Sequence, residues 1–239
     1  MLNPNSRNIP NPIKREVRQR CGFGCVVCGF PLYEYEHLLG WAKVRRHAAR
    51  EITLLCDRHH RERTSGLLPI ERVRSADTDP FNNRQGTSKP YDLNYEGTTC
   101  EAIIGGNRFT STAPPLGAGL CIPVMIDGLA MVGFLLQDGH LLVDLNLFDM
   151  DNRRVMAIQR DQLVYSMEPW DIELKGRRLL VRISSRDILI DIAFEPPSRI
   201  VIERGRFLRN GIELLIRPTY TLVTNNANLL SQGTMVNCS

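Results

Sequence analysis

Four residues in the first quarter of the chain have the types and spacing to hold a metal ion. Cys25-Val26-Val27-Cys28 is a C-x2-C knuckle, and Cys56-Asp57-Arg58-His59 is a C-x2-H pair that follows after 27 intervening residues. Three thiolates and one imidazole suit tetrahedral zinc with no open coordination position. The chain has seven cysteines and five histidines, and four of each fall between residues 21 and 60. An odd cysteine count with that clustering argues for a metal site and against a disulfide framework. A module of about 55 residues with few large apolar side chains also needs such a staple to fold. Cys21 reads as a buried helix residue, and Cys100, Cys121, Cys238 and His140 as structural or incidental.

The zinc ligands leave Glu36, His37, His47, Glu51 and His60 over, a set that could hold a second, catalytic metal and a general base. The order CVVC, YEHL, LLCDRHH resembles the HNH endonucleases, the ββα-metal nuclease family, over roughly residues 7–68. The resemblance implies a metal-dependent endonuclease or nickase that hydrolyses DNA phosphodiester bonds. It implies that His37 is the general base that takes a proton from the attacking water. Glu36 stands where the family usually has Asp. With His60 it would hold a divalent cation such as Mg²⁺ or Mn²⁺ against the scissile phosphate, beside the structural Zn²⁺. The middle Asn of the motif, which holds the base in the family, is replaced by Glu51. A carboxylate there can accept a hydrogen bond from His37 and raise its basicity, or it is a structural substitute, or it marks a site without activity. His47, in WAKVRRHAARE, is either solvated or part of the site. Two other readings use the same residues: a non-catalytic zinc-stapled nucleic-acid-binding module, and an accessory head on a protein-binding β domain.

The elements that must position these side chains can be read from pattern. Asn11-Pro12 is a helix start, and Ile13, Val17 and Cys21 recur every fourth residue before Gly22, which predicts a helix over 12–21. Residues 23–56 read as short extended pieces around turns, and 57–65 as a short helix closed by Gly66. From about Tyr91 the period becomes two: Leu141, Val143, Leu145 and Leu147 share a face, as do Ile188, Ile190, Ile192 and Phe194, and Ile212, Leu214 and Ile216. Gly105-Gly106-Asn107 reads as a tight turn or bulge and Trp170 as a core anchor. The expected fold class is α+β: a small zinc-stapled ββα-metal domain (1–75), a linker (76–91), an all-β sandwich or irregular barrel (92–218) of roughly eight to eleven strands, and a tail (219–239).

Charge is divided in the same way. Residues 1–76 carry 14 basic and 7 acidic side chains, a net of +7, so the remaining 163 residues carry 16 and 19, a net of −3. A basic head on a slightly acidic body places any polyanion at the head. Arg45, Arg46, Arg58, Arg61 and Arg63 flank the motif and are the expected phosphate contacts to DNA, which position a duplex without reading its sequence. The β domain would serve recognition, assembly or regulation, through a protein partner or a homo-oligomer. No apolar signal region opens the sequence, and the longest apolar stretch, 120–136, is broken by Pro123, Asp127, Gly128 and Gly133. A membrane span is therefore not expected, and the expected location is cytoplasmic.

Overall fold

The computed structural model of the chain describes residues 7–225 and 228–232. Contacts divide it into two units, Met1–Lys89 with Asp171–Glu173, and Pro90–Trp170 with Leu174–Ser239. The fold class is α+β with β structure dominant.

In the first unit the helix expected at 12–21 forms as α1, Asn11–Arg20, with Pro12 in the first turn where its missing N–H costs nothing. Its apolar stripe buries Val17 and, just past the end, Cys21. Arg18 is also buried, where its guanidinium meets Tyr35 and, within this unit, Asp171 at 2.7 Å. The chain then makes the tight Cys25–Phe30 turn, closed by Gly29 N–H donating to Cys25 C=O at 2.7 Å. β1 (Glu34–His37) and β2 (Ile52–Leu55) pair antiparallel, with Glu36 opposite Thr53 and His37 opposite Ile52. Between them lie α2 (Trp41–Val44) and a 3-10 turn at Ala49–Glu51. α3 (Asp57–Thr64) follows β2 directly and ends before Gly66, at φ +80°. Val17, Val26, Ile52, Leu54, Leu55 and Val73 form the core of this unit.

The segment expected as a linker folds instead. The end of α4 (Ile70–Thr78) and all of α5 (Phe81–Gln85) occupy half of it. Val73, Pro80, Asn82 and Ser88 are buried. Asn82 is the reason for the difference. Its Nδ2 donates to Gly22 C=O at 2.7 Å, so a residue that reads as a turn former serves as a tertiary anchor. Phe81 N–H also donates to Val26 C=O, and Lys89 N–H to Gly29 C=O.

Fifteen further strands follow among the described residues, in sheets of six and nine, more than the sequence pattern predicts; all lie in the second unit except the first three residues of Asp171–Lys175, which belong to the first. The surplus comes from two-residue hairpin turns that patterning by apolar runs passes over. The stretch 120–136 is not one element. It is β6 (Ala118–Ile126) and β7 (Leu129–Gln137) around Asp127-Gly128, both at positive φ. The alternation expected in β8 (His140–Phe148) holds, with Leu141, Val143, Leu145 and Leu147 all fully buried. In β13 (Ile188–Glu195) both faces are covered, and Asp191 is buried against Arg178 and Arg204. β14 (Arg199–Arg209) has three neighbours: it pairs antiparallel with β13 along one edge, and on the other its first half pairs parallel with β4 (Thr99–Ile104) and its second half antiparallel with β15 (Ile212–Arg217). Of the turn or bulge expected at Gly105-Gly106, the structure has the turn, between β4 and the strand that follows. The expected tail is also partly strand. β16 (Tyr220–Asn225) and β17 (Asn228–Gln232) extend the larger sheet, because Thr221 and Val223 continue the period-two burial. Cys238 lies outside the described residues.

Candidate functional site

Cys25, Cys28, Cys56 and His59 come together, each offering one ligand atom and all four within 4.8 Å of one another. Two come from the turn before β1. The other two come from the start of α3, where Cys56 is the residue before the first turn and His59 lies in it. His59 Nδ1 is 3.3 Å from Cys25 Sγ and 3.2 Å from Cys56 Sγ, and the sulfurs of Cys28 and Cys56 are 3.8 Å apart. Two sulfurs bound tetrahedrally at about 2.3 Å from one zinc would stand about 3.8 Å apart, so the donor set and its dimensions fit the ion. His59 turns Nε2 toward Glu62, 4.0 Å away, the side on which a metal-bound imidazole takes a carboxylate partner. The Cys25 thiol donates to Cys28, which lowers the Cys28 pKa to about 5 and, together with burial, pushes Cys25 up. Cys21 stands apart: burial raises its thiol to about 12, and it touches Thr53 and Asp77.

A second cluster is made by β1 and α3. Successive helix residues project about 100° apart, so His59 enters the cage while His60 faces the strand. His60 Nε2 is 3.1 Å from Glu36 Oε2, and His60 Nδ1 is 3.4 Å from Glu34 Oε2. Glu34 and Glu36 share a strand face because the period is two. An oxygen and a nitrogen about 3 Å apart are spaced as two ligands of one divalent cation at about 2.1 Å each.

His37, the next residue along β1, finds different partners. It is buried, its Nε2 is 3.2 Å from His47 Nδ1, and its ring centroid is 5.1 Å from that of Trp41. Trp41 in turn stacks on His47, at 4.7 Å and 18°. Burial, then the nearby His47, lowers the pKa of His37, and Glu51 opposes the shift. The net effect keeps its imidazole neutral at neutral pH.

The hydrogen bond expected between Glu51 and His37 is not the one formed. Arg46 takes both Glu51 oxygens, Nε to Oε2 at 3.1 Å and Nη2 to Oε1 at 2.5 Å, and that pair holds the Glu51 carboxyl below its ordinary range. Geometry explains the exchange. Glu51 lies in the 3-10 turn, five residues from Arg46, and its backbone C=O accepts from Leu38 N–H. Sequence reasoning missed Glu34 and Trp41 and left His47 open. Glu34 was accessible through its i, i+2 relation to Glu36. Trp41 and His47 lie in the connection between the strands, where no spacing rule applies.

The expected phosphate-contacting arginines are mostly in exposed ion pairs. Arg46 is with Glu51, Arg58 with Glu62 at 2.8 Å, and Arg61 with Asp57 at 2.5 Å. Arg45 is exposed at the left-handed end of α2, whereas Arg63 is partly covered and its Nε is buried without a partner. The Arg58–Glu62 and Arg61–Asp57 pairs each have an arginine turned to solvent, where salt screens the attraction and the pairing is weak.

Among the described residues no helix is long and apolar enough to cross a membrane. Comparison of the chain with family models, with curated proteins and with solved structures finds no match.

Proposed function

We propose that the chain is a zinc-stapled, metal-dependent endonuclease or nickase of the HNH type that hydrolyses DNA phosphodiester bonds. The observation that carries this reading is the convergence of Glu36 and His60 at 3.1 Å from two separate elements, one residue away from a buried His37 and from the zinc-cage ligand His59. A purely structural zinc module has no use for that second set.

In this reading the Cys25, Cys28, Cys56 and His59 cage locks the start of α3 against β1, which holds His60 opposite Glu36. A divalent cation bound there would offset charge on the scissile phosphate and on the leaving 3′ oxygen. Neutral His37 accepts the proton of the attacking water, and the products carry 5′-phosphate and 3′-hydroxyl ends. Arg45, Arg58 and Arg61 contact phosphates and give no base readout. The β-rich unit serves recognition, assembly or regulation.

A plasmid-nicking assay on the full chain with Mg²⁺ or Mn²⁺ tests this. Wild type should nick, and His37→Ala should lose at least about 100-fold in rate while keeping its zinc and its DNA affinity. Equal cutting by wild type and variant would overturn the mechanism, and DNA binding with no cutting under any metal would leave a binding module.

A further inference from the structure

We propose that His47, rather than Glu51, is the positioning residue for His37: its Nδ1 accepts the Nε2–H of His37, which leaves Nδ1 of His37 as the atom that takes the proton. This inference rests on the nuclease reading above and names the partner that reading lacks.

His37 Nε2 and His47 Nδ1 face each other at 3.2 Å. Two imidazole nitrogens at that separation share one proton, and a neutral ring carries only one N–H. Were His47 Nδ1–H the donor, His37 would carry its own proton on Nδ1. Both its nitrogens would then be occupied, with no lone pair to accept a proton from water. With His37 Nε2–H donating instead, the lone pair on His37 Nδ1 is available and the ring is fixed in the tautomer a general base needs. His47 then carries its own proton on Nε2.

The connection between β1 and β2 is shaped to hold this pair. Gly40, at φ +78°, turns the chain into α2, and Arg45, at φ +46°, turns it out again. Trp41 at the start of α2 lies face to face with the His47 ring and against His37. The two-point contact between Arg46 and Glu51 ties the segment to the residue that precedes β2. Glu51 thus fixes the loop that carries His47, and reaches His37 itself only as a nearby charge.

The test uses the full-length, zinc-loaded protein with ¹⁵N-histidine, which has only five histidines to assign. Long-range ¹H–¹⁵N correlations report each tautomer. His37 is expected as the Nε2–H form in wild type and in His47→Asn, whose side-chain oxygen can take the place of Nδ1, and as a mixture in His47→Ala. Nicking by His47→Ala should lose about tenfold or more in kcat with KM little changed, and His47→Asn should recover part of it. Unchanged zinc content verifies that each variant folds. The proposal is overturned if wild type holds His37 as Nδ1–H, or if His47→Ala keeps both the tautomer and the rate. A wild type that shows the Nε2–H form but never nicks would support the pairing and remove the nuclease reading instead.

Discussion

His59 and His60 are neighbours in the chain and face different chemistry, one toward three sulfurs and the other toward two carboxylates. Glu36 and His37 divide in the same way on the strand. Single side chains in the second unit are also tuned by their surroundings. Asp161 sits in a two-residue turn at φ +69° and accepts the Val143 N–H at 2.7 Å. Burial raises its carboxyl to about 6, against an ordinary 3.8. A carboxyl whose folded value is raised lends stability that is fully present below pH 3.8 and lost as pH rises through about 6. Asp161→Asn keeps the acceptor and tolerates the left-handed backbone. The variant should therefore gain in Tm relative to wild type as pH goes from 4 to 7, with most of the gain between 4 and 6. A Tm difference that stays flat with pH would remove this account of Asp161.

At the scale of elements, the knuckle is held from outside by α5. A Cβ at Gly29 would lie 2.2 Å from Asn82 Oδ1 and 2.5 Å from Phe81 Cδ1, and Gly29 has φ +76°. Gly66 has φ +80°, but nothing stands within 4 Å of its Cβ position. The pair separates backbone strain from packing. Gly66→Ala should cost only the left-handed backbone, about 1–2 kcal/mol. Gly29→Ala should add about 1–3 kcal/mol of overpacking and loosen the zinc site. Denaturant midpoints and zinc retention of the two variants check this, and equal losses would mean that α5 does not brace the knuckle. In the second unit Gly205 does comparable work, since a Cβ there would meet the Leu189 carbonyl at 2.7 Å where β14 passes β13.

Over the whole molecule, charge separates the two parts of the chain. The net +7 of residues 1–76 against −3 for the rest predicts that DNA affinity resides in the head and falls steeply with salt. On the proposed nuclease reading, Arg58 and Arg61 would contact phosphate only by giving up Glu62 and Asp57. Replacing each with Ala should weaken binding alike on all duplex sequences and reduce the slope of log affinity against log salt by about 1 per residue. Fluorescence anisotropy at several salt concentrations measures the slope. A loss that depends on duplex sequence, or a slope that does not move, would take these arginines out of the interface.

Local rules were enough to read the ligand set of the cage, α1, α3 and the buried alternation of β8, because spacing along a turn, a helix or a strand sets which side chains share a side. The residues that complete the site were not accessible in that way. Whether Glu51 or His47 faces His37 depends on how the connection between β1 and β2 folds back, and whether 76–91 is a linker depends on Asn82 finding Gly22. Such choices are made by close packing between residues far apart in the chain, which no periodicity encodes, and only the tertiary structure decided them.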